Sequence, residues 1–297
     1  MTITETPTET APVRDRVRAP KRGFQWDGGT ILAIVIGFAG VVLTLGPILY
    51  LIIGGFRNQQ QLSADPAGLP SPWLFDNYVG ILSDGLFWRQ LINSTLVAFG
   101  TTAGVVLFGT MAAYPLARYS FRGREAIYVL FTTGLMFPLT VAILPLYQLL
   151  KSLDLIGSLW GLVVPQIAFA LPITVIIMRP FLQALPKELE EASFVDGLTR
   201  VGFFYHMVLP LARPGMVTVG VLAFIGSWNA YLLPLLLLTG DPKGMTLPLG
   251  ITTFQGQHAA DITAIMAYTS LSMIPALIFF LFMERRIVDG LTGAVKG

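Results

Sequence analysis

Residues 31–53 read ILAIVIGFAGVVLTLGPILYLII and contain no charged side chain. A run of that length matches the roughly 20 residues an α-helix needs to cross the hydrocarbon of a bilayer. It is longer than the apolar core of a cleavable signal peptide and has no convincing small-x-small cleavage site after it, so it reads as a retained first span. Five further apolar stretches follow at 93–117, 126–149, 158–180, 215–239 and 262–283. The backbone of each must satisfy its own hydrogen bonds in lipid, which predicts helices. The whole chain agrees: 54% apolar residues, 12% charged residues and a mean hydropathy of +0.69 over 297 residues do not suit a soluble domain. The expected fold class is an all-α polytopic membrane bundle of six transmembrane helices.

Six spans put both chain ends on one side, and the basic residues test that arrangement. Arg57, Arg89, Lys151 and Lys243 fall on one side, and the other fifteen of the nineteen Lys and Arg fall on the opposite side. The positive-inside rule then places both termini in the cytoplasm. The expected organisation is a flexible cytoplasmic tail (1–29), the first transmembrane helix (30–54), an outer loop with an interfacial segment (55–92), a five-helix core (93–285) and a cytoplasmic C-terminal tail (286–297). Residues 1–29 mix Thr, Pro and Glu with Arg14, Arg16, Arg18, Lys21 and Arg22, a composition too polar to bury a core. The outer loop carries Trp73, Phe75, Tyr78, Phe87 and Trp88, an aromatic set suited to the membrane–water boundary.

What the spans lack narrows the function. No Asp, Glu, Lys or His lies in a span interior, so the usual mark of a proton relay or ion-coupling site is missing. Arg179 sits at a span end, where its long side chain is expected to snorkel towards water. With no Cys and only His206 and His258, on opposite sides, there is no basis for a metal site, a thiol nucleophile or a proton shuttle. Neither H-E-x-x-H, G-x-S-x-G nor a phosphate-binding G-x-x-x-x-G-K-[ST] occurs, so no catalytic residue is expected and ATP would have to be hydrolysed elsewhere. A net charge of +2 without a long basic run gives no support to nucleic-acid binding. The polar residues that do occur in the spans are uncharged. Asn93, Gln148, Gln166, Ser227 and Asn229 are the candidates for a solute path, either as interhelical hydrogen-bond donors and acceptors or as the lining of a route for a hydroxyl-rich solute.

The densest cytoplasmic connection, within 186–214, belongs to LPKELEEASFVDGLTRVGFFYHMVLPLARP at 185–214. Pro186 suits a helix start, and Glu188, Glu190 and Glu191 complement the positive end of the dipole that follows. Gly197 can take the left-handed conformation that ends such a helix. Thr199 can cap a second short helix running towards Leu209, which Pro210 and Pro214 then break. The expected product is a compact helical knob.

That segment resembles the EAA loop of binding-protein-dependent ATP-binding-cassette importers. The match runs through Glu191, Ala192 and Ser193, then Asp196 and Gly197, Phe204, and the closing Leu209 and Pro210, with Ser193 standing where the second Ala is usual. The likeness covers roughly residues 70–297 and is nearest to the maltose-type carbohydrate permeases, through LINSTLVA (91–98), MFPLTVAILPLYQLLKSLDLIGSLWGLVV (136–164), SWNAYLLPLLLL (227–238) and GLTGAVKG (290–297). Many members carry an acidic residue where this chain has Ala230. The resemblance implies a permease subunit that pairs with a second homologous permease subunit in the lipid bilayer, works with an ATPase subunit pair and receives a sugar or polyol from an extracytoplasmic solute-binding protein. It implies no cofactor on this chain, with ATP and Mg on the partner ATPase, and a docking role for Glu191. From the residues alone, an ion-coupled secondary transporter and a non-transport membrane scaffold stay open.

Overall fold

The computed structural model describes residues 28–238, 240–255 and 260–295, with side-chain detail through 283. The polar tail read over 1–29, apart from its last two residues, and His258 lie outside the described residues. Fourteen α-helices run in order among them: α1 Gly28–Gly54, α2 Gln59–Ala64, α3 Asp76–Ser83, α4 Gly85–Arg118, α5 Arg124–Gly134, α6 Leu139–Ser152 and α7 Trp160–Gln183, then α8 Lys187–Val195, α9 Arg200–Phe203, α10 Leu209–Leu211, α11 Arg213–Trp228, α12 Leu232–Leu237, α13 Leu247–Gly250 and α14 Ile262–Val295. The chain divides after Pro47. The earlier part of α1 is a single apolar helix whose side chains from Ile31 to Pro47 are exposed, as hydrocarbon-facing residues are.

Four helices are long and apolar enough to cross a membrane: α1, α4, α7 and the Ile262–Met283 part of α14. Two bent pairs bring the count to as many as six. The expected 126–149 span is α5 and α6, bent by 98°, and Pro138 lies at the break with extended backbone (ψ 136°). A proline has no N–H for the helix ladder and pushes the residue before it out of helical geometry, so an apolar run that hydropathy reads as one rod changes direction there. The second pair, Arg200–Leu211 with Arg213–Trp228, bends by 74°. The expected 215–239 span is likewise interrupted. It stops at Trp228 and resumes as α12, where a continuous helix would have set the ring of Pro234 against the carbonyl of Ala230. At the C-terminal end α14 stays helical to Val295, into the segment read as a tail over 286–297.

From Ile48 onward the packing centres on α4, which lies along both α7 and α11. Close approach is set by glycines. A Cβ on Gly104 would fall 2.2 Å from Cδ1 of Ile167, and one on Gly109 would fall 2.2 Å from Cγ2 of Thr174. Small residues at such positions let helix backbones meet where lipid supplies no hydrophobic drive between them. The 55–92 segment forms α2, α3 and the first turns of α4. Its Phe56 ring packs against Trp73, Phe75 and Tyr78, and the buried Arg57 guanidinium donates to the carbonyls of Gln61, Asp65 and Pro66.

Candidate functional site

The knob forms with the geometry its residues dictate. Helix α8 begins at Lys187, with Pro186 as its N-cap residue, and ends in a Schellman turn. The Gly197 N–H donates to the Phe194 carbonyl at 3.1 Å, the Leu198 N–H donates to the Ser193 carbonyl at 2.9 Å, and Gly197 takes φ +85°. Nothing lies within 4 Å of a Cβ built on Gly197, so its backbone conformation alone demands glycine. Thr199 then caps α9 by accepting from the Gly202 N–H at 3.1 Å. A π turn over Phe204–Val208 leads into Leu209 and Pro210; without an N–H, Pro210 cannot close an α turn onto the His206 carbonyl.

One face of the knob is core. Phe203, Phe204, Val208 and Ala212 pack with Ala113, Tyr114 and Leu116 of α4 and with Val175, Met178 and Leu182 of α7, while Leu189 and Leu209 lie partly buried against them. Ser193, buried, donates its hydroxyl to the Glu190 carbonyl at 2.7 Å. The hydroxyl is thereby satisfied within α8. The opposite face is open: Glu191, Ala192, Phe194, Val195 and Asp196 are exposed, Val195 at 88%. Two neighbouring carboxylates therefore differ in state. Glu190 is bound to Arg118, and Glu191 is exposed with no ion pair among the described residues.

Two ionic contacts that the sequence reading missed bind this end together. The Arg118 guanidinium reaches Glu190, and Arg179 reaches Glu125 with an Nη2–Oε1 distance of 2.6 Å. Arg179 does not snorkel. It is buried, its guanidinium lies 4.0 Å above the Tyr128 ring, and the exposed carboxylate of Glu125 comes to it. A carboxylate partner removes the reason for the side chain to reach for water. Glu125 lies 54 residues away in sequence, so no local spacing announces the pair.

The second feature is a cavity of about 390 Å³ between α4, α7, α11 and α12, which Leu139 of α6 also lines. Of the five path candidates, Gln166 and Ser227 line it. Thr101 donates to Gln166 Oε1 at 3.4 Å, while Gln166 Nε2 and Ser227 Oγ are buried without a partner. The rest of the wall is mostly apolar, with Thr174 and the aromatic Phe169 and Tyr231 in it, and it carries no charged side chain among the described residues. Ala230 lines it too. The other three candidates lie outside the cavity wall. Asn93 donates to the carbonyls of Lys243 and Met245 at 2.9 Å, Asn229 donates to the Ile225 carbonyl at the end of α11, and Gln148 is exposed on α6. Two of the three helix breaks reach the cavity, one through Leu139 and one through Ala230 and Tyr231. Non-helical backbone at membrane depth is tolerated where it lines such a space.

A polytopic helical membrane protein with an uncharged cavity between its helices has the parts of a transport subunit. The chain belongs to the family of binding-protein-dependent transport system inner membrane components, whose model matches residues 105–291. It is 33% identical to the diacetylchitobiose uptake system permease protein NgcG of Streptomyces coelicolor, over 84% of this chain and 83% of that one. It is 36% identical to the trehalose transport system permease protein SugB of Mycobacterium tuberculosis, over 89% and 95%. A crystal structure of a bacterial ABC transporter involved in the import of the acidic polysaccharide alginate shares the fold, with a TM-score of 0.73 and 22% identity over 86% of this chain and 95% of that chain.

Proposed function

We propose that this chain forms half of an alternating-access path for a neutral sugar, oligosaccharide or polyol, in the cytoplasmic membrane with both termini inside. A second homologous permease subunit completes the path, an ATPase pair drives it and an extracytoplasmic binding protein delivers the solute. ATP and Mg belong to the ATPase subunits, and this chain contributes no catalytic residue. The observation that carries the reading is the knob, whose inner face is locked to α4 and α7 while Glu191 and the apolar residues beside it are left free. A surface of that kind suits a partner with a basic residue and an apolar cleft. Glu191, Ala192, Ser193, Asp196, Gly197, Phe204, Leu209 and Pro210 make up the coupling element, with Glu191 as the contact residue and Gly197 as the bend.

The cavity supports the solute class. An unpartnered amide and hydroxyl in an apolar, uncharged wall offer hydrogen bonds to hydroxyl groups and no counter-charge to an ion, and Phe169 and Tyr231 offer faces for a sugar ring. Of the path candidates, Gln166 and Ser227 are the two that line this cavity. Relatives named for diacetylchitobiose and trehalose transport point the same way. The test is to purify the chain with its neighbouring subunits and measure binding-protein-stimulated ATPase activity across such sugars. Glu191→Lys should leave assembly intact and abolish both stimulation and uptake, and normal uptake by that variant refutes the coupling role.

A further inference from the structure

We infer that Arg118 is the positioning residue that converts movement of the knob into movement of α4, and so into a change at the cavity. The inference rests on the coupling role proposed for α8 and goes further by naming the intramolecular link and the helix that receives the displacement. Arg118 sits on the last turn of α4. Its Nη2 and Nε donate to Glu190 Oε2 at 2.7 and 3.1 Å, and its Nη1 donates to the Leu185 carbonyl at 2.6 Å. One guanidinium thus holds α8 itself and the segment just before it. The side chains of Arg118 and Glu190 are only 5% and 16% exposed. Charge-assisted bonds shielded in this way are stronger than a surface ion pair, and the fork makes them directional.

The two carboxylates of α8 divide the labour. Glu191 is exposed and Glu190 is bound to α4, so a push on the exposed face is passed to α4 through the Arg118 bond as well as through the packing of Leu189. The last turn of α4 contains Pro115, which leaves one ladder bond unmade, yet the Tyr114 ring lies 5.0 Å from Phe204 and its hydroxyl is 2.9 Å from that of Tyr119. That packing braces the turn. From Arg118 the same helix runs back to Val105 and Thr101, two residues of the cavity wall. At 1.5 Å per residue the lever is about 25 Å long. A rigid helix with a polar clamp at one end and a cavity wall at the other is a contiguous route for coupling between two packed states.

The chain has no cysteine, so a thiol at Thr101→Cys is unique on this polypeptide. In the assembled permease–ATPase complex, N-ethylmaleimide labelling of Thr101→Cys is compared without nucleotide and with ATP plus vanadate, alongside the ATPase rate. With Arg118 intact the labelling rate should respond to nucleotide. Arg118→Gln should shrink that response by roughly two- to thirtyfold, the range expected when a coupling contact is lost, while ATP hydrolysis continues. Arg118→Lys, which keeps the charge and loses the fork, should fall between, and it carries the test if Arg118→Gln fails to assemble. A full nucleotide response in Arg118→Gln and Arg118→Lys overturns the inference. So does a proportional fall in response and ATPase rate, which marks a general folding defect. If the unaltered chain assembles with no ATPase, the importer reading itself falls, and the clamp with it.

Discussion

The contact between α4 and α7 at Gly109 can be tested atom by atom. In Gly109→Ala the new Cβ falls 2.2 Å from Cγ2 and 3.0 Å from Cβ of Thr174, far inside the roughly 3.5–4.0 Å at which carbon atoms rest. Thr174 cannot turn away easily. It is buried, β-branched and tied by its hydroxyl to the Ala170 carbonyl at 2.7 Å. Gly100 on the same helix is the control, because its added Cβ would meet Val163 at an ordinary 3.5 Å. Both substitutions gain the same helix propensity, about 1 kcal/mol, so their difference isolates the overpacking cost of about 1–3 kcal/mol. At about 2–4 °C per kcal/mol, Gly109→Ala should melt several degrees below Gly100→Ala in one detergent, with monodisperse elution as the readout. Thr174→Ser keeps the hydroxyl and deletes Cγ2, so the double variant should recover most of the loss. Equal midpoints for the two alanine variants, or no recovery with Thr174→Ser, refute the argument that glycine at 109 is there for α7.

Gly197→Ala should cost about 1–2 kcal/mol from backbone strain alone and lower hydrogen-exchange protection at the 197 and 198 amides by about five- to thirtyfold, while Gly197→Asn should lose less because Asn enters the left-handed region more readily. Equal protection in Gly197→Ala and the parent would remove the strain argument. At the other ionic contact, Glu125→Gln strands the buried Arg179 charge whereas Arg179→Met removes it, so thermal midpoints should rank Glu125→Gln below Arg179→Met, and the reverse order would show that the charge is not desolvated there.

Hydropathy and charge were enough to read the helical class and the apolar stretches, because both depend on composition over a window. Direction within a stretch depends on single residues. The 98° bend at Pro138 and the break between Trp228 and Leu232 are invisible to an average over about 20 residues. The knob was legible in detail because capping and glycine chemistry are local: Gly197 and Thr199 do what their types allow. Arg118, Glu125 and Arg179 were not, since their pairings join residues 72 and 54 positions apart. Uncharged polar residues in spans look alike in sequence. Only the neighbours separate Gln166 and Ser227, left without partners at the cavity, from Asn93, spent on two carbonyls.

The different headings of Glu190 and Glu191 restrict how this segment can change over evolutionary time. Successive residues of an α-helix are about 100° apart, so inserting or deleting one position between Lys187 and Gly197 would put Glu190 and Glu191 out of phase with one end of the segment or with each other, and the Arg118 contact and the outward bearing of Glu191 could no longer both be kept with the burial of Ser193. Letter changes at Ala192, Phe194 or Val195 leave that phase untouched, whereas a change of length does not. The stretch from Pro186 to Gly197 should therefore be intolerant of insertions and deletions, even though its exposure and charge give it the look of an ordinary surface loop.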